Sequence, residues 1–550
     1  MARRFKHEHA GIILFILIFA RALFAKAPAT ESTSHTNIVL LLADDLGWTD
    51  LHTGATCDGN GTSYHQTPFI DKLATQGMSF SSMYMCPNCA PSRAALMTGQ
   101  YSPRNGVYAV TGLDRGEGIL QPPVQSEFIR HDAITIANLL KSAGYTTCHV
   151  AKFHVSTHTD ITKFDGFDFN YGGTEEGSPR GYFAVQDSTK HWYFVALGRE
   201  MDQFALPYTR DYVEQNLLPY ASGNDPLTLV GTPKHATDAT ADAAIQFMTR
   251  HLASPKDHDK PFFINIAFNA VHARIKSRPD LVAKYKRIKS SDPRHTRADY
   301  AALLEGEDQA IGRILHFLKE HNLRNNTLVI FVSDNGGYAT STSNAPLRGS
   351  KGMFYDGGLR VPMIVRLPGV IPAGTKSDAM LSVVDLYPTI ADFAGVELPD
   401  PAKYKLDGES FGPVLRGQEN HLHRSAIYYD YPGYLDTRAY PCAVIIKRLD
   451  AGRYKLLYSY EDEHYELYDL TADISEAHDL LQDSVSPASV TIAENLHDDL
   501  CNWLAEIHPL YPRYKSTGKV VPPPVPIKEA LAAGNRIARR AYTSVHPGSD

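Results

Sequence analysis

Cys86 and Cys89 are spaced as a Cys-x-x-Cys pair, and a Pro-Ser-Arg run that ends at Arg93 follows the second cysteine. Elsewhere such a pair supplies half of a zinc site or forms a redox dithiol, in which one thiol has a lowered pKa. A zinc site needs a second ligand pair at similar spacing, whereas the other cysteines of this chain occur singly. Neither chemistry uses the Pro-Ser-Arg run, so both interpretations leave that run unexplained.

Two predicted strands end in pairs of polar residues, Asp44 with Asp45 and Asp334 with Asn335. Open α/β sheets bind their ligands at the carboxyl ends of the strands, which is where both pairs occur. Donor sets made only of oxygen suit Ca²⁺ or Mg²⁺ better than Zn²⁺. Adjacent side chains on an extended strand point to opposite sides, so the chain must turn near Gly47 for both aspartates to reach one ion. Taken alone, each pair is also typical of an ordinary turn.

The eleven residues that begin at Cys89 resemble the signature of the type I sulfatases, the formylglycine-dependent members of the alkaline phosphatase-like superfamily. The segment that ends at His154 resembles the second signature of the family, but departs from it at Ala151 and Phe153. Two later segments are similar to the histidine loop and the lysine loop of the family, at residues 269–272 and 347–362. The resemblance covers nearly the whole chain.

In this family a separate generating enzyme oxidises the signature cysteine to formylglycine, so the resemblance implies that Cys89 becomes 3-oxoalanine. It also implies a bound divalent cation, Ca²⁺ rather than Mg²⁺. The implied metal ligands are Asp44, Asp45, the modified residue 89, Asp334 and Asn335. The implied catalytic residues are Cys89, Arg93, Lys152, His154, His272 and Lys351.

The mechanism that the resemblance implies has two stages. Asp334 helps to deprotonate a hydroxyl of hydrated formylglycine, which attacks sulfur, and His272 with Lys351 protonates the departing alkoxide. A sulfate ester is left on residue 89. His154 then takes the proton of the second hydroxyl, which releases sulfate and restores the aldehyde.

The expected activity is hydrolysis of a sulfate ester on a sulfated carbohydrate, with simple aryl sulfates as artificial substrates. Such an anionic substrate needs cationic donors, which the basic residues named above would supply. Two alternatives stay open: a formylglycine-dependent phosphonate or phosphodiester hydrolase, and an unmatured chain that binds sulfated glycans without cleaving them. A net charge of −7 argues against non-specific nucleic-acid binding, which needs a basic surface.

Short apolar runs alternate with amphipathic helical patterns, which indicates an α/β domain with a mostly parallel central sheet flanked by helices. Helices are predicted at residues 236–251 and 298–321, and Asp132 is predicted to cap a helix that ends near Gly144. Core strands are predicted at residues 37–43, 146–151, 262–268, 327–333 and 362–367.

The pattern changes after Gly395, where short Tyr-rich β runs precede a helical pattern at 487–508. This predicts a smaller C-terminal antiparallel sheet with one packed helix. The β runs lie at residues 426–430, 443–448, 453–460 and 465–470. The predicted organisation is a catalytic domain at 36–400, an α+β subdomain at 401–530 and a tail at 531–550.

Residues 155–218 are polar, aromatic and aperiodic. Long irregular segments of α/β enzymes often carry function, so this segment is a candidate for substrate recognition. The residues in it that are candidates to line a substrate pocket are His158, His191, Trp192 and Arg199.

The amino terminus has the pattern of a signal peptide at residues 1–25. Basic residues at positions 3, 4 and 6 precede an apolar stretch at 10–20, and small residues follow up to Ala25. The apolar stretch is short for a membrane span. We therefore expect a secreted or periplasmic protein with no membrane span after signal cleavage.

Overall fold

The computed structural model describes residues 35–533 of the 550-residue chain. The predicted signal peptide and most of the predicted tail lie outside the described residues, so both stay predictions. Within 35–533, no helix combines the length and the apolar character that a bilayer span requires.

Nine strands of the described chain form one main sheet. In chain order they are β1 (Asn37–Ala43), β2 (Met78–Tyr84), β3 (Thr146–Ala151), β4 (Phe169–Tyr171), β5 (Phe262–Ala267), β6 (Thr327–Ser333), β7 (Arg360–Arg366), β8 (Thr375–Ser377) and β9 (Leu381–Ser382). They lie in the order β8-β2-β7-β6-β1-β5-β3-β4, and β9 also pairs with β2. All of these pairs are parallel except the two made by β7, which is antiparallel to β6 and to β2.

The central strand β1 shows why the sheet is so apolar. Ile38, Leu40 and Leu42 face one buried layer of the core, while Val39 and Leu41 face the other. Because helices cover both faces, successive side chains of the strand are all buried and the usual apolar–polar alternation is lost. Each such side chain contributes roughly 1.5–3 kcal/mol when it is fully removed from water.

Helices of both layers enclose the sheet. The helices, in chain order, are α1 (Pro68–Gln76), α2 (Cys89–Thr98), α3 (Ser102–Asn105), α4 (Ile136–Ser142), α5 (His158–Lys163), α6 (Arg210–Asn216), α7 (Ala236–Ala253), α8 (Pro279–Tyr285), α9 (Ala298–Glu320), α10 (Asp356–Leu359), α11 (Leu386–Ala394), α12 (Gly412–Leu415), α13 (Pro487–Ile507) and α14 (Ile527–Ala532). The layer that faces Leu40 contains α2, α4 and α11, and the layer that faces Leu41 contains α1, α7 and α9.

A second sheet of four antiparallel strands follows in the C-terminal part of the chain, with its strands in sequence order. Its strands are β10 (Ala426–Tyr431), β11 (Cys442–Leu449), β12 (Gly452–Ser459) and β13 (His464–Asp469). Helix α13 packs on it through Leu496, Leu500 and Leu504, whose spacing places them on one helix face. Short two-stranded pairs join Asp114–Arg115 to Tyr434–Leu435, Leu120–Gln121 to Arg513–Tyr514, and Val185–Gln186 to Trp192–Tyr193.

The predicted fold class is confirmed: a mostly parallel sheet flanked by helices is followed by a smaller antiparallel sheet with a packed helix.

The predicted helix cap at Asp132 is wrong. Thr135 caps α4 by accepting the Asn138 N–H on its side chain, and the Asn138 side chain accepts the Thr135 N–H in return. Asp132 lies outside the helix and pairs with Arg130 at the surface. The domain boundary at residue 400 stays a prediction.

Strand direction decides where ligands can bind. Strands β1, β3, β5 and β6 are parallel, and β2 shares their direction because it is antiparallel to β7. The carboxyl ends of these strands therefore meet at one edge of the sheet, where β7 begins. The segments that carry all of the predicted site residues leave or enter the sheet at this edge.

Candidate active site

Cys89 is the first residue of α2, in the segment that leaves the edge of the sheet after β2. Asn88 has an extended backbone, and the chain turns into the helix at the cysteine. Arg93 follows one helical turn later, so the two side chains lie on the same face of α2. Both are buried, with Cys89 only 1% exposed.

Three acid–base pairs surround the cysteine at the sheet edge. The shortest N···O distance is 2.7 Å in each of the pairs Lys152–Asp44, Lys351–Asp45 and Arg93–Asp334. The formal negative charges of the three carboxylates equal the positive charges of the three cations, and this pairing lowers the free-energy cost of burying them together. The structure thus brings together segments that lie far apart in the sequence.

Two buried oxygens at this edge of the sheet, Asp44 Oδ1 and Asn335 Oδ1, have no hydrogen-bond partner among the described residues. The Asn335 amide donates to Asp45 Oδ1 at 2.8 Å, which leaves its carbonyl oxygen available. Ligand atoms of Asp44, Cys89 and Asp334 all lie within 4.8 Å of one another. Burial raises the pKa of Asp44 to about 8. A divalent cation would bind the unpaired oxygens and favour the carboxylate, so these residues fit the predicted metal.

The two predicted catalytic histidines are neutral in this environment. Burial, reinforced by the positive charge of Lys152, lowers the pKa of His154 well below its usual value, and Nδ1 has no partner among the described residues. Burial and Lys351 lower the pKa of His272 to about 3. The His272 Nε2 atom lies 3.7 Å from Asp45 Oδ2. A neutral imidazole is a proton acceptor, which suits His154 directly.

The thiols do not have the character of a redox pair. Burial raises the pKa of Cys86 to about 12 and also raises the pKa of Cys89. Reactive dithiols have lowered thiol pKa values, because the thiolate is the nucleophile. All six cysteines are unpaired, and the observed environment of Cys86 and Cys89 favours neither a redox dithiol nor a disulfide.

Tyr182 and Asp50 support the site and were not identified from the sequence. The Tyr182 hydroxyl donates to the carbonyl oxygens of Asn269 and His272 at 2.6 and 2.7 Å, and thereby holds the histidine segment. Asp50 accepts from the Gly47 N–H at 2.6 Å and fixes the turn after Asp45.

Asp50 also belongs to a buried group with His65 and His295 that has the composition of a metal site. Its carboxylate, however, already accepts from the Tyr300 hydroxyl, at 2.5 Å, and from the Thr342 hydroxyl. Because these donors occupy the carboxylate, we assign this group a structural role in joining loops.

The loop that carries Lys351 is fixed from the second sheet by a buried lysine, Lys455 of β12. Its Nζ atom bonds Asp356 Oδ1 at 2.6 Å, Glu476 Oε1 at 2.7 Å and the Phe354 carbonyl at 3.2 Å. Burial raises the pKa of Glu476 to about 7.

The same loop contacts the segment that follows β6. The Gly336 N–H donates to the Gly358 carbonyl at 3.0 Å, and the Lys351 N–H donates to the Gly337 carbonyl at 3.1 Å. The second sheet therefore positions Lys351 relative to Asp334.

The residues proposed to line a substrate pocket have mostly local partners. His158 Nε2 lies 3.0 Å from Glu200, His191 Nε2 lies 3.3 Å from Asp202, and Arg199 is exposed. Trp192 packs partly buried against the core. Their role in recognition stays a prediction.

A family model described as Sulfatase matches residues 36–396, and one described as N-sulphoglucosamine sulphohydrolase, C-terminal, matches residues 350–505. The chain belongs to the sulfatase family. It is a sulfuric ester hydrolase, and enzymes of this family generally use a metal and formylglycine. The resemblance read from the Cys89 segment is thus confirmed at the level of the family.

Named relatives support the same assignment. The sulfatase is 39% identical over 524 residues to a protein named Sulfatase from Formosa agariphila, across 90% of this chain and 94% of the relative. It is 31% identical to the dog N-acetylgalactosamine-6-sulfatase, across 72% and 68% of the two chains. A crystal structure of Ps i-CgsB in complex with k-i-k-neocarrahexaose matches with a TM-score of 0.63 and 27% identity, over 93% of this chain and all of that one.

Gly177 provides a test of the position of His154. A Cβ atom on Gly177 would lie 2.2 Å from His154 Nε2, so the change Gly177→Ala must displace the imidazole. We expect aryl sulfate hydrolysis to fall by about tenfold to a hundredfold, since displacements of this size cost that much in rate. The melting temperature should change little, because the loop is partly exposed. The neighbouring change Ser178→Ala is the control, and equal activity of the two variants would contradict this placement.

The positioning role of Lys455 can be separated from a purely structural one. We expect the pair Lys455→Met with Glu476→Gln to lower the melting temperature and to lower kcat for an aryl sulfate by about tenfold or more. The matched control is Lys284→Met with Glu305→Gln, which removes a buried pair 2.6 Å apart between α8 and α9. It should lower stability similarly and leave kcat near that of the wild type. Parallel losses of kcat in both pairs would show that stability alone is responsible.

Proposed function

We propose that the chain hydrolyses sulfate monoesters of a sulfated carbohydrate, with formylglycine at position 89 and Ca²⁺ bound among Asp44, Asp45, Asp334 and Asn335. The observation that carries the proposal is the placement of Cys89 within 4.8 Å of Asp44 and Asp334, among three buried cations. When all three carboxylates are ionised, their negative charges balance the positive charges of Arg93, Lys152 and Lys351. A divalent cation would therefore make the site positive by two charges, which suits an anionic ester.

The proposed metal ligands are oxygen atoms of Asp44, Asp45, Asp334, Asn335 and the modified residue 89. Ca²⁺ is proposed ahead of Mg²⁺ because oxygen-only sites of carboxylates and amides suit it. When bound, such a cation polarises the sulfate group and stabilises a nucleophilic oxygen. Asp44 and Asn335 contribute the oxygens that otherwise have no partner. Lys152 and Lys351 pair with Asp44 and Asp45, and we assign to them contacts with the sulfate group.

Formylglycine, made from Cys89 by a generating enzyme, supplies as its hydrate a hydroxyl nucleophile that the thiol lacks. Arg93 lies one turn from residue 89 and is held by Asp334, so it can orient the modified side chain. We assign to Asp334 the proton of the attacking hydroxyl. His154, neutral because burial lowers its pKa, is assigned the proton that must leave when sulfate is released.

Protonation of the leaving alkoxide is assigned to His272 with Lys351. In the structure the pKa of His272 is about 3 because of burial and the charge of Lys351. A sulfate ester bound beside both residues would offset that charge, and would raise the pKa of the imidazole toward its usual value. Substrate binding would therefore favour the protonated imidazole that an acid catalyst requires.

A carbohydrate substrate is supported by relatives and neighbours. The dog relative is named for a sulfated sugar, and the Ps i-CgsB structure contains a neocarrahexaose.

Export to the periplasm or the exterior is proposed from the signal pattern at residues 1–25, and amino-terminal sequencing of the mature protein would test it. A mature protein that still begins at Met1 would contradict export by this signal.

The change Cys89→Ala tests the nucleophile. We expect aryl sulfate hydrolysis to fall by at least about a thousandfold, since loss of a covalent nucleophile has effects of this order or larger. The fold should persist, because the substitution is small. Peptide mass spectrometry on wild-type protein, made with a formylglycine-generating enzyme, should show the mass loss of thiol-to-aldehyde oxidation at residue 89. Retained activity in the variant would exclude this nucleophile, and a free thiol in fully active protein would exclude the modification.

Metal removal and substrate comparison test the rest of the proposal. Chelation should abolish hydrolysis, and Ca²⁺ should restore it more fully than Mg²⁺. Sulfate esters should be cleaved with higher kcat/KM than the matching phosphodiesters or phosphonates. The reverse preference would favour the related hydrolase class. Tight glycan binding without cleavage, by protein that keeps a free thiol at residue 89, would favour the unmatured binding chain.

A further inference from the structure

The segment 182–196 forms a hairpin that starts and ends beside the two catalytic histidines. At its start, the Tyr182 hydroxyl bonds the His272 carbonyl at 2.7 Å. At its end, the Ala196 carbonyl accepts from Thr174 Oγ1 at 3.1 Å, and the Thr174 carbonyl accepts the His154 N–H at 2.9 Å. The hairpin segment is therefore anchored to the active site at both of its ends.

The second strand of the hairpin is Trp192–Tyr193, whose two side chains point to opposite sides because successive strand residues alternate. Trp192 packs partly buried against the core, and Phe194 and Ala196, which follow the strand, are buried. Tyr193 is half-buried on the side opposite Trp192, and His191, which precedes the strand, is exposed. The imidazole and phenol rings are almost parallel, with an interplanar angle of 6° and 6.3 Å between their centroids.

The face of the hairpin that carries Tyr193 is accessible and partly apolar. The His191 side chain is 54% exposed, and Val195, in the turn that follows the strand, is 46% exposed. Val185 is the strand partner of Tyr193, so it lies on this face too, and it is 39% exposed. Asp202 pairs with His191 at 3.3 Å and helps to fix the orientation of the imidazole.

We propose that His191 and Tyr193 form a platform on which a sugar ring of the glycan substrate packs, beyond the sugar that carries the sulfate. The proposal rests on the proposed function. An aromatic ring presents a flat apolar face together with a polar edge, which matches the C–H face and the hydroxyl groups of a pyranose. Three residues of fully extended chain span at most about 11 Å, so Tyr193 lies within about 11 Å of Ala196 at the base of the hairpin. A short oligosaccharide whose sulfate lies between the histidines can reach the platform.

The test compares a long and a short substrate in formylglycine-bearing protein. Tyr193→Ala should raise KM about tenfold for the best substrate among oligosaccharides of carrageenan, chondroitin sulfate, heparin and fucoidan. It should leave kcat on that oligosaccharide, and kcat/KM on 4-nitrophenyl sulfate, within about twofold of wild type. A tenfold change corresponds to about 1.4 kcal/mol of binding free energy. Phe169→Ala is the matched control, because it removes another exposed aromatic ring from the amino end of β4, at the opposite edge of the sheet.

Equal losses on both substrates would overturn the proposal, because they would show that the hairpin only positions the histidines. An effect no larger than that of Phe169→Ala would also overturn it. Calorimetric binding of the same oligosaccharides to Cys89→Ala protein separates this inference from the proposed function. Weaker binding after Tyr193→Ala supports the platform even if the wild type cleaves none of them, whereas no binding of any of them overturns it.

Discussion

Mutual neutralisation of buried charges at one edge of the main sheet is the constraint on which the rest of this sulfatase depends. Asp44, Asp45 and Asp334 could not be buried together as carboxylates without the cations that pair with them. Each of these ion pairs joins distant segments, since Lys152 follows β3 while Asp44 follows β1, and Arg93 lies in α2 while Asp334 follows β6. The active site is therefore also a junction that ties the strand ends together.

The second sheet belongs to the same arrangement. Lys455 reaches from β12 to Asp356 and Glu476, and the loop that ends at Asp356 carries Lys351 to Asp45. A family model that begins at residue 350 spans this loop and the second sheet together, which agrees with their shared packing. The smaller sheet thus acts as a rigid support for a residue of the active site.

Most of the fold could be predicted from the sequence because its central strands are buried on both faces and read as unbroken apolar runs. Strands β1, β3 and β6 have the predicted bounds. Strand β2 was missed because Ser79, Ser81 and Ser82 interrupt its apolar pattern, although all three are buried. The predicted site residues came from short motifs, which the fold brings together.

Tyr182, Asp50 and Lys455 could not be found in the same way. Their importance comes from contacts with residues that are distant in sequence, and no local pattern around them indicates those contacts.

Burial of Cys89 has a further consequence, because an enzyme that modified this side chain would have to reach an atom that the folded protein conceals. If residue 89 is oxidised as proposed, the oxidation would have to precede folding, and the two processes would compete during synthesis. A chain that folds first would be trapped as a stable but inactive thiol form, so the fraction of active molecules would be set by the relative rates of oxidation and folding.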